Sequence, residues 1–297
     1  MPVSLVTRSF ALAAPYAWFD WATRFKDRDG YVGPRYFADF ASDTAGRLKV
    51  AGPCGGLIPT YDELRCDDFD PMAVDPLIRE FYRHSATFGL RIVENRWNPW
   101  LGGVPQLWRA VAAWLGQFTF PVNEIGNVES QYEYLDIDGD GADDFVCWIR
   151  HVVRDGTKDG ELFYAGAFRP FLSVVDGRLS AFLACAFPLP GCNLAAVLKF
   201  HNEPDGGFRA SSLPDSAAPT PPSKHAESGS YIGSREAGTY IVVPGARTLS
   251  LFPALGLHED LQFRVENDHR GVPYIYGEHR CYWLGLRAFT LVYEIRP

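Results

Sequence analysis

The segment from Phe81 to Trp97 brings a histidine, a glutamate and several arginines together with aromatic residues. This mixture is typical of a pocket for a flat, charged small molecule, because aromatic walls supply contact area while a few ionisable groups orient the ligand. The candidate acid–base groups are His84 and Glu94, and the candidate cations are Arg79 and Arg91. The simpler interpretation is a helix that leads into a strand, with aromatic residues in the core and arginines in water.

A second candidate site is the acidic segment DIDGDGADD at residues 136–144. Its aspartates alternate as in the first part of a calcium-binding loop, and Gly141 at the sixth place allows the sharp turn. An EF-hand is excluded, because the twelfth place holds Cys147 and a strand-like segment follows. A structural calcium site and the tip of a β-hairpin therefore both remain as interpretations. The candidate calcium ligands are Asp136, Asp138, Asp140 and Asp144.

A third pattern is the pair His201 and Glu203, which is followed by His258, His269 and His279. A His-x-carboxylate pair with a later histidine can form the facial triad of a non-haem Fe(II) oxygenase. The chain has seven histidines, so a spacing this loose is easily satisfied, and the segment after His201 also fits a turn that follows a strand. An iron oxygenase is therefore an alternative function.

The composition excludes several other classes of function. A formal net charge of -8 argues against nucleic-acid binding, which depends on clustered lysine and arginine. There is no apolar run long enough to span a membrane. The six cysteines are scattered without CxxC spacing, which predicts reduced thiols and a cytoplasmic protein. The chain also lacks a GxGxxG after a strand, a Walker A loop, a GxSxG elbow and an HExxH motif.

The elements that must position these residues change in type along the chain. Residues 1–125 mix short apolar runs with three helix-like segments, one of which begins near Asp75 with Pro76 in its first turn. From residue 126 on, runs rich in aromatic and β-branched residues alternate with glycine, aspartate and proline, which predicts consecutive antiparallel strands. Residues 211–230, rich in proline, serine and alanine, predict a mobile loop.

We therefore predict an α+β fold that forms a single domain over residues 1–297. In this fold a mainly helical or irregular N-terminal part, residues 1–125, packs on a large curved antiparallel β-sheet or partial barrel formed by residues 126–297. Aromatic residues make up 14% of the chain. This share exceeds the needs of a core and indicates a ligand pocket or a subunit interface.

Three segments, REFYRHSATFGLRI, ESQYEY and PLPGCNLAAVLKF, resemble a bacterial family that we associate with the β-carboline-forming Pictet–Spenglerases of the McbB type. The resemblance implies a homodimeric enzyme of secondary (alkaloid) metabolism that condenses an aromatic amino acid such as tryptophan with an aldehyde. No cofactor is implied for this reaction. The resemblance also implies that Glu94 is the acid and base, with His84 ten residues before it and Arg79 nearby.

The proton chemistry of such a condensation needs one carboxylate in an apolar, aromatic setting, because burial raises the pKa of a carboxyl group toward neutrality. Asn95 and Pro99 suggest that the strand ends before Arg96, so we expect Glu94 to be desolvated by rings. An arginine suits the substrate carboxylate, which it can grip with two hydrogen bonds. Tryptophans could stack on the substrate indole, or belong to the core. The candidates are Trp97, Trp100 and Trp108.

Two further classes of function stay open beside this enzyme. A non-enzymatic binding protein would use an aromatic cavity for a small molecule without any proton chemistry. An iron oxygenase would use His201, Glu203 and a later histidine.

Overall fold

The computed structural model describes residues 32–43, 46–52, 55–122, 125–137, 139–153, 160–175, 177–213, 237–244, 249–253 and 256–297. Three sequence predictions fall partly beyond them. Residues 1–31 of the predicted N-terminal part, the candidate ligand Asp138 and residues 214–230 of the predicted loop lie outside the described residues. Residues 211–213 are described, and Ser211 ends a strand instead of belonging to a loop.

Among the described residues there are three α-helices and thirteen β-strands. The helices are α1 (Tyr36–Asp43), α2 (Pro76–Arg83) and α3 (Val104–Leu115). The first strands are β1 (Arg47–Val50), β2 (Gly89–Trp97), β3 (Gly126–Asp136), β4 (Phe145–Val153), β5 (Glu161–Val175), β6 (Arg178–Leu189) and β7 (Cys192–Asn202). The others are β8 (Phe208–Ser211), β9 (Gly238–Pro244), β10 (Leu249–Pro253), β11 (Leu257–Asn267), β12 (Pro273–Trp283) and β13 (Leu286–Arg296).

Ten of these strands form a closed antiparallel barrel. The order around it is β2-β3-β4-β5-β6-β7-β8-β11-β12-β13, and β13 pairs with β2 to complete the ring. Three strands branch off: β1 pairs with β3, β9 with β7, and β10 with β9. The predicted curved antiparallel sheet is confirmed, but the fold contains more β-structure than predicted. The reason is that β2, from the part predicted to be mainly helical, supplies the strand that closes the sheet.

From β4 to β7 both faces of the barrel wall are apolar, as expected for strands that are covered on both sides. Along β4, Val146, Trp148 and Val152 belong to the interior core, together with the aromatic face of α2. The alternate residues Phe145 and Cys147 belong to a second cluster that also contains the buried side chains of α1. The side-chain alternation of a strand thus separates an interior core from an outer layer.

Helix α2 packs its apolar face against the barrel interior. Asp75 caps it by accepting a hydrogen bond from the Leu77 backbone N–H at 2.8 Å, and Pro76 occupies the first turn, as the sequence predicts. The rings of Phe81 and Tyr82 are buried and contact the inward rings of β8 and β11. The predicted start of this helix is confirmed.

The barrel closes through β8, a strand of only four residues that pairs with β7 on one side and with β11 on the other. Arg209 on β8 is joined to Asp260 on β11 by a hydrogen-bonded ion pair of 2.5 Å. The Asp260 side chain is only 2% exposed, and Arg280 on β12 lies 3.7 Å from it. This buried pair therefore ties together the two strands at the point of closure.

We predict that Asp260→Asn lowers the free energy of unfolding by about 3–5 kcal/mol, because it leaves the buried Arg209 charge without its partner. The measurement is urea denaturation followed by circular dichroism. The control is Glu266→Gln, which breaks the exposed ion pair between Arg264 and Glu266 and should change stability by less than about 1 kcal/mol. Equal, small effects of both substitutions would contradict the role assigned to the buried pair.

Candidate functional site

The barrel interior holds a cavity of about 80 Å³, which we call the barrel cavity. Its wall is mainly aromatic, with contributions from α2, from the segment after α3 and from strands on all sides of the barrel. The aromatic wall residues are Phe81, Tyr82, Phe118, Phe120, Trp148, Tyr164, Phe168, Phe187, Phe263 and Tyr293. A drug-sized ligand needs roughly 300–1,000 Å³, so this cavity suits a small molecule of about one ring.

The described residues of this wall include an arginine, Arg150. Arg150 on β4 points inward and is only 5% exposed. Its guanidinium carbon lies 4.3 Å from the ring centroid of Trp148, 5.1 Å from that of Tyr293, 5.2 Å from that of Tyr164 and 5.4 Å from that of Phe163. Aromatic faces attract a cation at these distances, so four rings surround the charge.

The hydrogen-bonding capacity of Arg150 is only partly used. A guanidinium has five N–H donors, and one of its terminal nitrogens donates to the Tyr164 hydroxyl at 2.9 Å. Among the described residues, the Arg150 Nε and the neighbouring Trp148 Nε1 are buried without a hydrogen-bond partner, as is the Tyr293 hydroxyl oxygen. The wall therefore presents N–H donors that lack acceptors.

The charge state around Arg150 follows from burial. Burial opposes the charged guanidinium, but the neighbouring tyrosines outweigh this effect and raise the pKa of Arg150 above its usual value. Burial also raises the pKa of Tyr164 and Tyr293, so both hydroxyls stay neutral at pH 7. These tyrosines can therefore donate or accept hydrogen bonds, but they do not neutralise the arginine.

An acid–base pair lies in the same wall. Glu259 on β11 and His279 on β12 line the barrel cavity, and the His279 Nε2 lies 3.5 Å from a Glu259 carboxylate oxygen. The Cys281 sulfur lies 3.4 Å from the same nitrogen. Burial, with a smaller contribution from Glu259, raises the pKa of the Cys281 thiol well above its usual value, so this thiol is not an activated nucleophile.

The predicted catalytic pair lies elsewhere. Strand β2 continues through Arg96 to Trp97, so Glu94 is half-exposed and forms an ion pair of 2.9 Å with Arg96. The expectation that aromatic rings desolvate Glu94 was therefore wrong, because the strand does not end at Asn95. His84 follows the last residue of α2, and its Nε2 lies 3.7 Å from Glu80 one turn earlier. Neither predicted residue belongs to the wall of the barrel cavity.

The predicted arginines also lie outside the cavity wall. Arg79 on α2 lies 3.9 Å from the carboxylate of Asp62, and its side chain is mostly buried. Arg91 on β2 is exposed. The cation of the barrel cavity is Arg150, which sequence reasoning missed.

The three predicted tryptophans have different environments. Trp97 is half-buried and packs on Phe289 with ring centroids 4.7 Å apart, and Trp108 donates its Nε1–H to the Phe118 carbonyl at 3.1 Å. Both rings pack against the interior core. Trp100 is 52% exposed. The tryptophan that lines the barrel cavity is instead Trp148.

The acidic segment forms the turn between β3 and β4. The Asp136 carboxylate accepts hydrogen bonds from the Gly139 and Gly141 backbone N–H groups at 2.7 and 2.8 Å. Asp140 accepts from Ala142 N–H at 2.9 Å. Asp144 accepts from the Ile137 N–H, also at 2.9 Å. These contacts are those of a hairpin tip, in which aspartate side chains hold the backbone turn.

The predicted metal ligands that the structure describes do not form a metal site. Within the described part of the chain, which omits Asp138, no three histidine, cysteine, aspartate or glutamate residues are placed to hold a metal ion. His201 and Glu203 are thus not brought together with a later histidine as a ligand set. His258 instead has its Nδ1 3.2 Å from the Ser212 carbonyl oxygen, and His279 faces the barrel cavity.

A signal for the missed residues was present in the segment FVCWIRHVV. Its alternation places Val146, Trp148, Arg150 and Val152 on one face. An arginine at an inward position of an otherwise apolar face is a buried charge, and buried charges mark binding or catalytic sites more often than exposed ones do. The pairing of Glu259 with His279 had no such signal, because it depends on the register between β11 and β12.

Comparison with known proteins gives one distant relative. The chain is similar to the uncharacterized membrane protein YndJ of Bacillus subtilis (strain 168), with 21% identity over 174 residues. The match covers 58% of the chain and 29% of that protein, so the chain corresponds to less than a third of its relative's length. No family model and no solved structure matches the chain.

Within the described ranges, no helix is both long and apolar enough to cross a membrane.

We predict that Arg150→Met leaves the free energy of unfolding within about 1 kcal/mol of the wild-type value or raises it, because replacing a buried charge by an apolar side chain of similar volume is often neutral or stabilising. The measurement is equilibrium denaturation of the ligand-free protein. As a control, Phe163→Ala should lower stability by about 3–5 kcal/mol through the space it leaves. A comparable loss of stability in Arg150→Met would show that Arg150 stabilises the fold, and would contradict its role as a ligand-binding group.

Proposed function

We propose that the protein binds a small, mainly apolar molecule inside its barrel. The observation that carries this proposal is the barrel cavity, whose aromatic wall contains buried N–H donors without acceptors. A closed barrel of this size can hold a ligand among its inward side chains. Apolar walls with a few polar groups are also the general make-up of small-molecule sites.

The aromatic wall supplies the binding energy in this proposal. Removal of apolar surface from water contributes roughly 25 cal/mol per Å², so one aromatic ring that enters the cavity gains several kcal/mol before the loss of its freedom is subtracted. The unpaired donors, chiefly the Arg150 Nε and the Trp148 Nε1, select the polar group of the ligand. Energy and selectivity thus come from different atoms of the same wall.

We predict that toluene and benzamide raise the melting temperature of the wild-type protein, because a ligand that binds only the folded state stabilises it. Cys185→Leu places extra carbon atoms in the cavity wall and should abolish both shifts. The matched control is Cys147→Leu, which changes a fully buried cysteine in the outer layer and should keep the ligand-induced shifts, although it lowers overall stability. The absence of any shift in the wild-type protein with these probes would contradict the proposal.

A second candidate function is the condensation that the family resemblance implies. The observation that favours it is the pairing of Glu259 with His279 in the wall that also holds Arg150. In this version the cavity would have to widen beyond its 80 Å³ to admit both substrates. Arg150 would hold the carboxylate of an aromatic amino acid, and Glu259 would carry the proton transfers assigned above to Glu94. The proton carrier in this candidate is thus Glu259, which is mostly buried beside the cavity, and not the half-exposed Glu94.

This candidate is tested with tryptophan and acetaldehyde or phenylacetaldehyde, with tetrahydro-β-carboline products read by mass spectrometry. If the reaction is catalysed, Glu259→Gln should lower turnover by about a hundredfold, the usual scale for a general acid–base group. Glu94→Gln is the matched control and should leave turnover unchanged. The reverse result would return the chemistry to Glu94, and no product above the uncatalysed rate would leave binding as the function.

A further inference from the structure

We infer that the ligand of the barrel cavity carries a single carboxylate, which Arg150 holds inside the barrel; this inference rests on the proposed binding function. The ligand class is therefore a small aromatic or alicyclic monocarboxylate.

The charge of Arg150 has no counter-charge among its neighbours. In the described residues no carboxylate lies within salt-bridge distance of its guanidinium nitrogens, and the nearest hydrogen-bond partner is the neutral Tyr164 hydroxyl. Glu259 lines the same cavity, but its recorded partner is His279. A buried charge is disfavoured by several kcal/mol unless it is paired and hydrogen-bonded.

The surrounding rings offset part of this penalty without satisfying the donors. Four ring faces lie near the guanidinium, and their cation–π contacts offset part of the desolvation penalty of the charge. A ring face, however, is a poor substitute for an acceptor oxygen. Among the described residues, Arg150 Nε and Trp148 Nε1 are both buried and without acceptors, and a buried donor left unpaired destabilises the protein.

A carboxylate fits these donors better than other anions. Its two oxygens and the planar guanidinium form a charge-assisted, two-pronged hydrogen-bonded pair, and each oxygen has a second lone pair for a further donor such as Trp148 Nε1–H. A phosphate or another dianion would need more than one cation, whereas the cavity wall contains a single arginine and also the carboxylate of Glu259. A cavity of about 80 Å³ also favours the smaller group.

The test uses two probes of equal shape, 4-fluorobenzoate and 4-fluorobenzamide, with binding followed by fluorine NMR and by calorimetry at pH 7. In the wild-type protein we expect the benzoate to bind at least about tenfold more tightly than the benzamide, since a hydrogen bond to a charged group contributes about 1.5–3 kcal/mol. Arg150→Met should remove this preference and leave benzamide binding within about threefold of wild type.

Two further variants control for indirect effects. Arg169→Met removes another strand arginine that lies over an aromatic ring, Phe145, but not in the cavity wall, and it should keep the preference for benzoate. Trp148→Phe removes the Nε1–H donor and part of the ring area while keeping an aromatic ring, and it should weaken benzoate binding by a few-fold more than benzamide binding. This second variant keeps the inference testable if Arg150→Met does not fold.

The outcomes separate the inference from the proposed function. Equal binding of the two probes in the wild-type protein, unchanged in Arg150→Met, would overturn the carboxylate assignment and leave the binding function intact. A loss of benzoate preference in Arg169→Met as well would also overturn it, because the effect would then not be local to the cavity. Failure of toluene, benzamide and benzoate alike to bind would instead refute the binding function on which the inference rests.

Discussion

The closure of the sheet through β8 is the constraint on which the rest of the molecule depends. The four residues of β8 pair with β7 on one edge and with β11 on the other. The rest of the β7 edge that contacts β8 pairs with β9. Phe208 and Ala210 face the interior core, and Arg209 is neutralised by Asp260 on the neighbouring strand. A sheet left open here would expose unpaired backbone groups and admit water to the aromatic interior. An enclosed cavity exists only because this short strand completes the ring.

The closed ring gives the interior its chemical character. Aromatic side chains form most of the wall, so the remaining cavity is small and mainly apolar, and electrostatic interactions inside it are stronger than in water. Arg150 comes from β4, whereas Glu259 and His279 come from β11 and β12. A cation and an acid–base pair that are far apart along the chain thus share one apolar wall. This combination supports ligand binding directly, and it provides the groups that a proton-transfer enzyme would need.

The sequence predicts local features of the fold better than long-range ones. The strands after residue 126 and the start of α2 at Pro76 follow from side-chain pattern and capping, and the structure confirms them. The closure of β2 on β13 joins segments about 200 residues apart, which no local pattern reveals. The exposure of Glu94 was predicted wrongly, because Asn95 and Pro99 were taken to end the strand. Pairing with β13 keeps β2 extended through Arg96. The alternation in β4 contained the signal for an inward Arg150, but the sequence analysis did not use it. The pairing of Glu259 with His279 depends on the register between two strands.

The pairing of β13 with β2 also sets the order of events during synthesis of the protein. Translation completes β2 long before β13, so the ring cannot close until the last of the described strands has emerged. Pairings between distant segments form slowly, since the loop entropy must be lost before the contacts form. Until then, β2 and β12 are edge strands beside exposed aromatic side chains, a state prone to aggregation and suited to chaperone binding. Arg150 therefore stays hydrated on the nascent chain and loses its water only in the final folding step.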